Sequence, residues 1–424
     1  MLRTQLKYRP KGAIGQTFFL GLIIALAGAS GTASAFVKFQ KGVQNSSQNN
    51  ERNGSALAKP DPEILLSDIY KDLANYHLRA AQAKADRLVD AYPNFRLGQL
   101  IHGDLLMMST HVVSTFGDVP NGPQDKLKNL REEAIAHLNS LRERPDPGLV
   151  PRSVLQLRPD QKHVLIVDTR HSRMYVYENL GGQLKYVTDY YISQGKLGIN
   201  KLRAGDQKTP LGVYYITGRL SGARLPDFYG AGALPINYPN EWDKINGRSG
   251  SGIWLHGTPS DSFSRPPLSS DGCVVLSNPD LHKLVGSVEI GKTPVVIADH
   301  VEFVSKAKWG AERNTAFKLV DMWRHDVESL NAPLLLSNYS RRFKSSLGED
   351  LGTWFGKQPH YLPGTSLRLN LKDATFFLYP GSEDMIVGTF TQEAMIGKNR
   401  QVIRKRQYWA REGAQWKIVS ESNL

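Results

Sequence analysis

The sequence predicts a multidomain α+β protein with an N-terminal helical region, a central β-rich domain and a C-terminal α+β cone. Three observations carry that prediction. Apolar residues recur at helical spacing between residues 61 and 145, and short strand-like runs punctuated by Gly and Pro follow. The last third of the chain then offers one helix and four longer strand candidates. At 424 residues the chain is too long for one ordinary core, and with 40% hydrophobic and 22% charged residues it can bury several.

The first 35 residues read as a signal peptide or an anchor. Arg3, Lys7, Arg9 and Lys11 precede a mostly apolar run from Thr17 to Ala29, and small residues end at Ala33-Ser34-Ala35. A basic start, a short apolar stretch and an A-x-A site describe a secretory signal. Left uncleaved, the run from Ala13 to Val37 is just long enough to span a bilayer. Residues 36–60 are rich in Asn, Ser and Gln and read as a flexible tether. The formal charge of +13 is concentrated here: +7 falls in residues 1–60, leaving +6 for the other 364. Arg404, Lys405 and Arg406 sit among strand-like residues, unlike a basic tail, so nucleic acid is not the indicated partner.

Residues 61–150 are expected to form a helical scaffold. Ile64, Leu65, Ile69, Leu73 and Tyr76 define one apolar face, and Ala81, Ala85, Leu88, Val89 and Tyr92 a second. Pro62 suits a first helical turn, and Pro93 breaks the chain before a third helix capped by Asn94. A fourth, about Gln124 to Arg144, aligns Leu127, Leu130, Ala134, Ile135, Leu138 and Leu141. Pro145, Pro147, Gly148 and Pro151 mark a boundary. Strands are expected at His163–Val167, Arg173–Tyr177, Gln183–Ser193, Gly212–Thr217, Gly252–His256 and Pro294–Ala298, giving a β-rich domain over 155–300. In 310–424, a helix bearing Phe317, Val320, Met322 and Trp323 precedes strands at Ser366–Leu378, Met385–Ala394, Gln401–Arg411 and Trp416–Glu421.

The chemistry centres on the only cysteine in the chain, Cys273. One Cys in an exported protein cannot close an internal disulfide. A cysteine nucleophile needs a base nearby and donors for an oxyanion. His256 ends an apolar strand before Gly257, and Cys273 follows Asp271-Gly272 and precedes the apolar Val274 to Leu276. That places a thiol and an imidazole at the lip of a β core, with Gly272 free to take a positive φ. The N–H groups of Gly272 and Cys273 are the candidate oxyanion donors, with Ser270, Asp271 and Gly257 in supporting positions.

These residues lie in three segments, Thr209-Pro210-Leu211-Gly212, His256-Gly257 and Ser270-Asp271-Gly272-Cys273, with thirteen residues between His256 and Ser270. In order and spacing they resemble the YkuD family of L,D-transpeptidases over about 155–300. The resemblance implies Cys273 as nucleophile and His256 as base, acting on peptidoglycan stem peptides. Two positions depart from the family pattern: Asp271 stands where most members have His, and Val275 where many have Arg or Asn. The first puts an anion beside the thiol, and the second removes a cation that would hold a substrate carboxylate. Residues Tyr408–Glu421 resemble the NTF2-like fold. The domain order looks like that of cell-shape-determining L,D-carboxypeptidases.

The implied reaction cleaves the bond before the terminal D-alanine of a tetrapeptide stem, with water or a stem amine resolving the acyl-enzyme. A degenerate wall-binding scaffold and an amidase releasing wall-linked protein remain the alternatives. No cofactor or metal is indicated, since the His residues lack paired ligand spacing. A periplasmic location, a membrane tether through the N-terminus and a homodimer through the helical region complete the expectations. Asp271 is either a turn former or an orienter of His256, and Arg203, Arg219 and Arg224 are expected on a solvated face.

Overall fold

The computed structural model describes residues 59–110, 112–119, 122–358, 366–381 and 384–424. The expected signal or anchor segment, and all of the tether except Lys59 and Pro60, lie outside the described residues. No described helix is long and apolar enough to cross a membrane. The chain divides into two compact units, Met1–Leu138 and Asn139–Leu424.

In the first unit, α1 (Pro62–Ala74) is capped by Asp61, whose carboxylate accepts from the N–H groups of Glu63 and Ile64. Helices α2 (Leu78–Ala91), α3 (Arg96–Met108) and α4 (Gln124–Arg142) follow, the last running on into the second unit. Leu65, Leu66, Ile69, Ala85, Leu88, Phe95, Leu97 and Ile101 are buried. Three expectations change. Ile64 and Ile135 face solvent at the margins of their apolar stripes, and Tyr76 lies past the end of α1 at positive φ. Phe95, not Asn94, occupies the cap position of α3.

The second unit is layered. Its strands begin with β1 (Leu149–Pro151), β2 (Val154–Gln156), β3 (His163–Asp168), β4 (Arg173–Leu180), β5 (Gln183–Tyr191), β6 (Gln194–Gly195), β7 (Gly212–Tyr215), β8 (Leu220–Ser221) and β9 (Gly232–Pro235). Helix α5 (Glu241–Ile245), β10 (Trp254–His256), β11 (Leu268–Ser270), β12 (Val274–Val275), α6 (Asn278–Val285), β13 (Pro294–Ala298) and β14 (Phe303–Ser305) complete the β-rich part. The order β5-β4-β3-β13-β7 forms a mixed five-stranded sheet in which β3 and β13 run parallel. A smaller sheet, β12-β10-β9-β8, and the β11–β6 pair stand beside it.

Both faces of the five-stranded sheet are covered, which explains strands apolar at nearly every position. Leu165, Val167, Met174, Val176, Val295 and Ile297 pack against Leu255, Val274 and Leu281. On the opposite face Val164, Ile166, Tyr175, Tyr177 and Val296 pack against Phe377, Val387, Tyr408 and Val419 of the C-terminal region.

That region comprises α7 (Lys306–Glu328), α8 (Ala332–Ser337), α9 (Leu351–Phe355), β15 (Leu367–Leu378), β16 (Met385–Ile396), β17 (Asn399–Glu412) and β18 (Gln415–Asn423). The strands form an antiparallel sheet, β18-β17-β16-β15-β2. Its far face buries Phe376, Ile386, Phe390, Trp409 and Ile418 beneath Trp309, Val320 and Trp323 of α7. Residues 154–156 thus join the C-terminal sheet rather than opening the β-rich domain. The reason is alternation: Val154 enters the shared core and Leu155 the core under α7, so this strand serves both. Lys405 and Arg406 are buried, paired with Glu421 and, at 2.6 Å, Glu241.

Candidate active site

Strands β10 and β12 pair in parallel, with Leu255 opposite Val274 and His256 opposite Val275. Leu255 and Val274 both point into the core, so pleating turns their neighbours Trp254, His256 and Cys273 toward the other face. The expected base is thus the last residue of β10, and the expected nucleophile immediately precedes β12 of the same small sheet.

The turn that presents Cys273 is tied from three sides. Ser270 Oγ donates to the Cys273 carbonyl at 2.6 Å and accepts from Gly272 N–H at 3.1 Å. Thr209 is fully buried; its Oγ1 donates to the Gly272 carbonyl at 3.0 Å and accepts from Gly195 N–H at 3.0 Å. Gly272 has φ +122°, and a Cβ there would lie 2.6 Å from the Lys208 carbonyl oxygen, so only glycine fits. Gly272 N–H is thus already engaged, which differs from the expected oxyanion role; a short turn closed by a hydroxyl uses that donor internally.

Asp271 does not orient His256. Its exposed carboxylate accepts from Lys196 Nζ at 3.1 Å and Gln207 Nε2 at 2.9 Å. The Lys196 bond is the main reason its pKa falls below the usual carboxylate range. The half-buried Cys273 thiol donates to the Gly252 carbonyl at 3.4 Å. Burial pushes its pKa up and Asp271 adds to the rise, while the Trp254 backbone N–H, Lys201 and Arg265 oppose it.

His256 is 1% exposed, with Tyr229 and Phe228 ring centroids 5.1 and 5.7 Å from its own. Its Nδ1 lies 2.7 Å from the Gly257 carbonyl, which only accepts, so Nδ1 carries the proton and Nε2 keeps its lone pair. Burial lowers the imidazole pKa to about 4, opposed by the Gly257 bond and reinforced by the charge of Arg265. Gly257 must be glycine for space: a Cβ would come within 2.1 Å of Asn278 Oδ1. Asn278 accepts from Ala231 N–H and donates to the Thr258 carbonyl, both at 2.8 Å, fixing the loops around the base.

The six predicted site residues fall on two neighbouring segments of the small sheet: His256 and Gly257 at the end of β10, and Ser270, Asp271, Gly272 and Cys273 in the turn that leads into β12, with Asp271 exposed on its outer edge. Sequence reasoning missed Phe228, Tyr229, Trp254, Arg265 and Asn278, which reach the site from separate loops and strand ends. Thr209 was visible as part of the Thr-Pro-x-Gly run, but its clamp on Gly272 was not. Arg203 and Arg224 are exposed as expected, and Arg219 donates to the Val285 carbonyl. Asp168 and His171 also meet His300, which is distant in sequence: Asp168 Oδ2 lies 2.9 Å from His171 Nδ1 and 3.4 Å from His300 Nδ1. These donors are close enough together to face one ion. Asp168 also accepts the backbone N–H groups of His171 and Val301, so its carboxylate is satisfied by strand-end contacts alone.

Residues 162–297 match the YkuD L,D-transpeptidase catalytic domain, and residues 315–422 the Cds6 C-terminal NTF2-like domain. No curated protein matches the chain. Among solved structures, Bdellovibrio bacteriovorus Bd1075 is 29% identical with a TM-score of 0.57, over 65% of this chain and 99% of that one. The helical cell shape determining protein Pgp2 from Campylobacter jejuni is 22% identical with a TM-score of 0.54, over 66% of this chain and 97% of that one, a likeness of fold. Residues 162–297, which include both His256 and Cys273, are accordingly a YkuD L,D-transpeptidase catalytic domain, joined in this chain to a C-terminal NTF2-like domain.

Proposed function

We propose that the protein is a cysteine-dependent L,D-acyl-transfer enzyme that cleaves the bond before the terminal D-alanine of peptidoglycan tetrapeptide stems. The observation that carries this reading is the His256–Gly257 bond, which leaves Nε2 of a neutral imidazole with a free lone pair in the same small sheet whose strand β12 follows Cys273. His256 Nε2 takes the Sγ proton as the sulfur attacks the carbonyl carbon of the third stem residue. The oxyanion is held by the Cys273 N–H, the donor of the expected pair that Ser270 does not occupy. Collapse breaks the C–N bond, and His256 returns the proton to the departing D-alanine amine. The thioester then passes its acyl group to water, giving a tripeptide, or to a stem amine, giving a cross-link. The basic and apolar N-terminal segment would deliver the enzyme to the periplasm.

The test is to incubate disaccharide-tetrapeptide with wild type and Cys273→Ala and identify products by mass spectrometry. Tripeptide formed only by wild type supports the carboxypeptidase, and a Cys273-dependent dimer the transpeptidase. Absence of any Cys273-dependent product from monomers, cross-linked fragments or protein-linked wall sinks the catalytic reading in favour of a wall-binding scaffold.

A further inference from the structure

A catalytic cleft that cuts next to a chain end needs something to recognise that end. The nucleophile strand supplies no cation, since Val275, two residues past Cys273, is buried and apolar. The loop between β10 and β11 supplies one. Its backbone is pinned at Arg265, whose carbonyl accepts from Tyr191 Oη and Ser193 Oγ, both at 2.8 Å. The Arg265 guanidinium lies 4.5 Å from the Phe228 ring centroid, and Phe228 in turn packs against His256. Among the described residues no carboxylate forms an ion pair with this guanidinium, although it lies within electrostatic reach of Asp261, Asp271, Cys273 and His256.

A half-buried arginine held on an aromatic face keeps its planar donor edge for a carboxylate. Its side of the cleft is set by His256. The imidazole must reach the departing amine, so a group stacked through Phe228 beside that imidazole lies on the leaving-group side. In a D-amino acid the carboxylate is two bonds from that amine. We infer that Arg265 binds the terminal carboxylate of the departing D-residue and makes the enzyme specific for a free chain end. The inference rests on the acyl-transfer reading above and adds the feature that selects the substrate. It also explains the placement of the cation on the loop: arginine there grips the leaving residue without standing next to the nucleophile turn.

The experiment compares wild type, Arg265→Lys and Arg265→Gln on three substrates: the tetrapeptide stem, the same stem ending in D-alanine amide, and a stem with L-lysine as third residue. Wild type is expected to lose about 100-fold in kcat/KM on the amide, mostly through KM. Arg265→Gln should lose about as much on the acid and little more on the amide, with Arg265→Lys in between. Equal losses for Arg265→Gln on acid and amide would overturn the assignment and mark a structural role. So would wild type that cleaves acid and amide alike, a comparison that needs no variant. A penalty that disappears on the L-lysine stem would place the guanidinium on the third residue's carboxylate, again overturning the inference. Wild type inert toward all three substrates overturns the acyl-transfer reading itself, and this inference with it; any Cys273-dependent turnover separates the two failures.

Discussion

Thr209 Oγ1 donates to the carbonyl of Gly272, the residue before the nucleophile, at 3.0 Å, while accepting from Gly195 N–H at the same distance. One buried hydroxyl therefore joins three segments and sets the height of the Cys273 turn. Thr209→Val keeps the shape but leaves a buried carbonyl and a buried N–H without partners. The expected cost is about 2–3 kcal/mol of stability, read by denaturant unfolding. The turnover rate should fall at least tenfold with KM little changed, because the thiol is mispositioned and the substrate site is not. A variant with normal kcat would show that the clamp is not needed for the chemistry.

The state of His256 sets the acid side of the activity profile. Its pKa is pushed from 6.5 to about 4 by burial, so the ring is neutral, with a lone pair free to accept a proton, throughout the neutral range. The thiol is shifted the other way, up from 9.0. The reactive form, neutral imidazole with protonated thiol, then persists over a wide plateau. kcat/KM should fall below pH 5 with an apparent pKa near 4 and fall again only above pH 9. For stability, a depressed imidazole favours the fold above the unfolded value of 6.5, and that contribution is lost as pH falls toward about 4. At full extent it is about 3 kcal/mol. His256→Gln should flatten this part of the stability curve, and an unchanged slope between pH 6.5 and 4 would refute the assignment.

The same electrostatics predict an unreactive thiol in the resting enzyme. Iodoacetamide should label Cys273 slowly at pH 7 and faster with each rise toward pH 10, because burial and the neighbouring Asp271 disfavour the thiolate. Asp271→Asn removes the anion and should speed labelling at a fixed pH about twofold, a small effect because Asp271 is exposed and already met by Lys196. Rapid labelling at neutral pH would mean a preformed thiolate–imidazolium pair and a different catalytic start.

Gly257 offers a test of the base's orienter that leaves every ionisable group in place. A methyl at its Cα would meet Asn278 Oδ1 at 2.1 Å and Ala231 N at 3.0 Å, both parts of loops packed beside His256. Gly257→Ala should displace the carbonyl that holds Nδ1 and reduce kcat about 100-fold. Gly257→Ala combined with Asn278→Ala should recover part of the loss by removing the obstructing side chain. Circular dichroism separates this from unfolding.

Much of this architecture could be read from the residues. The strands around Val164, Val176 and Val296, and the four C-terminal strands, were visible because long apolar or alternating runs bounded by Gly and Pro leave few other conformations. Cys273 and His256 could be found because a lone cysteine after Asp-Gly, and a His-Gly at a strand end, are unusual local chemistry. What stayed hidden depends on contacts between distant segments. No local pattern shows that residues 154–156 pair with Phe377, or that Arg265 lies over Phe228. The Gly272 N–H shows the same dependence: Ser270 lies two residues away, but whether its hydroxyl or a substrate takes that N–H depends on a rotamer.

Trp242 of α5 stacks on Tyr408 of β17 with centroids 5.0 Å apart and planes inclined by 19°, beside the 2.6 Å Arg406–Glu241 bridge. These contacts border a core to which the catalytic sheet contributes Ile166, Tyr175 and Val296, and the NTF2-like sheet Phe377, Val387 and Val419. Neither sheet can keep that face in water, so the two domains should unfold as one. Calorimetry of residues 139–424 is expected to show a single transition with equal calorimetric and van't Hoff enthalpies. Tyr408→Ala, which removes a buried ring from the joint, should cost about 3–5 kcal/mol and lower that one transition rather than split it. A chain ending at Ser305 strips the catalytic sheet of its cover and leaves β2 without its partner strand, so it should be insoluble or bind hydrophobic dyes. Two well-separated transitions, or a soluble and active chain ending at Ser305, would show that the shared core is dispensable and that the NTF2-like domain is an independent appendage.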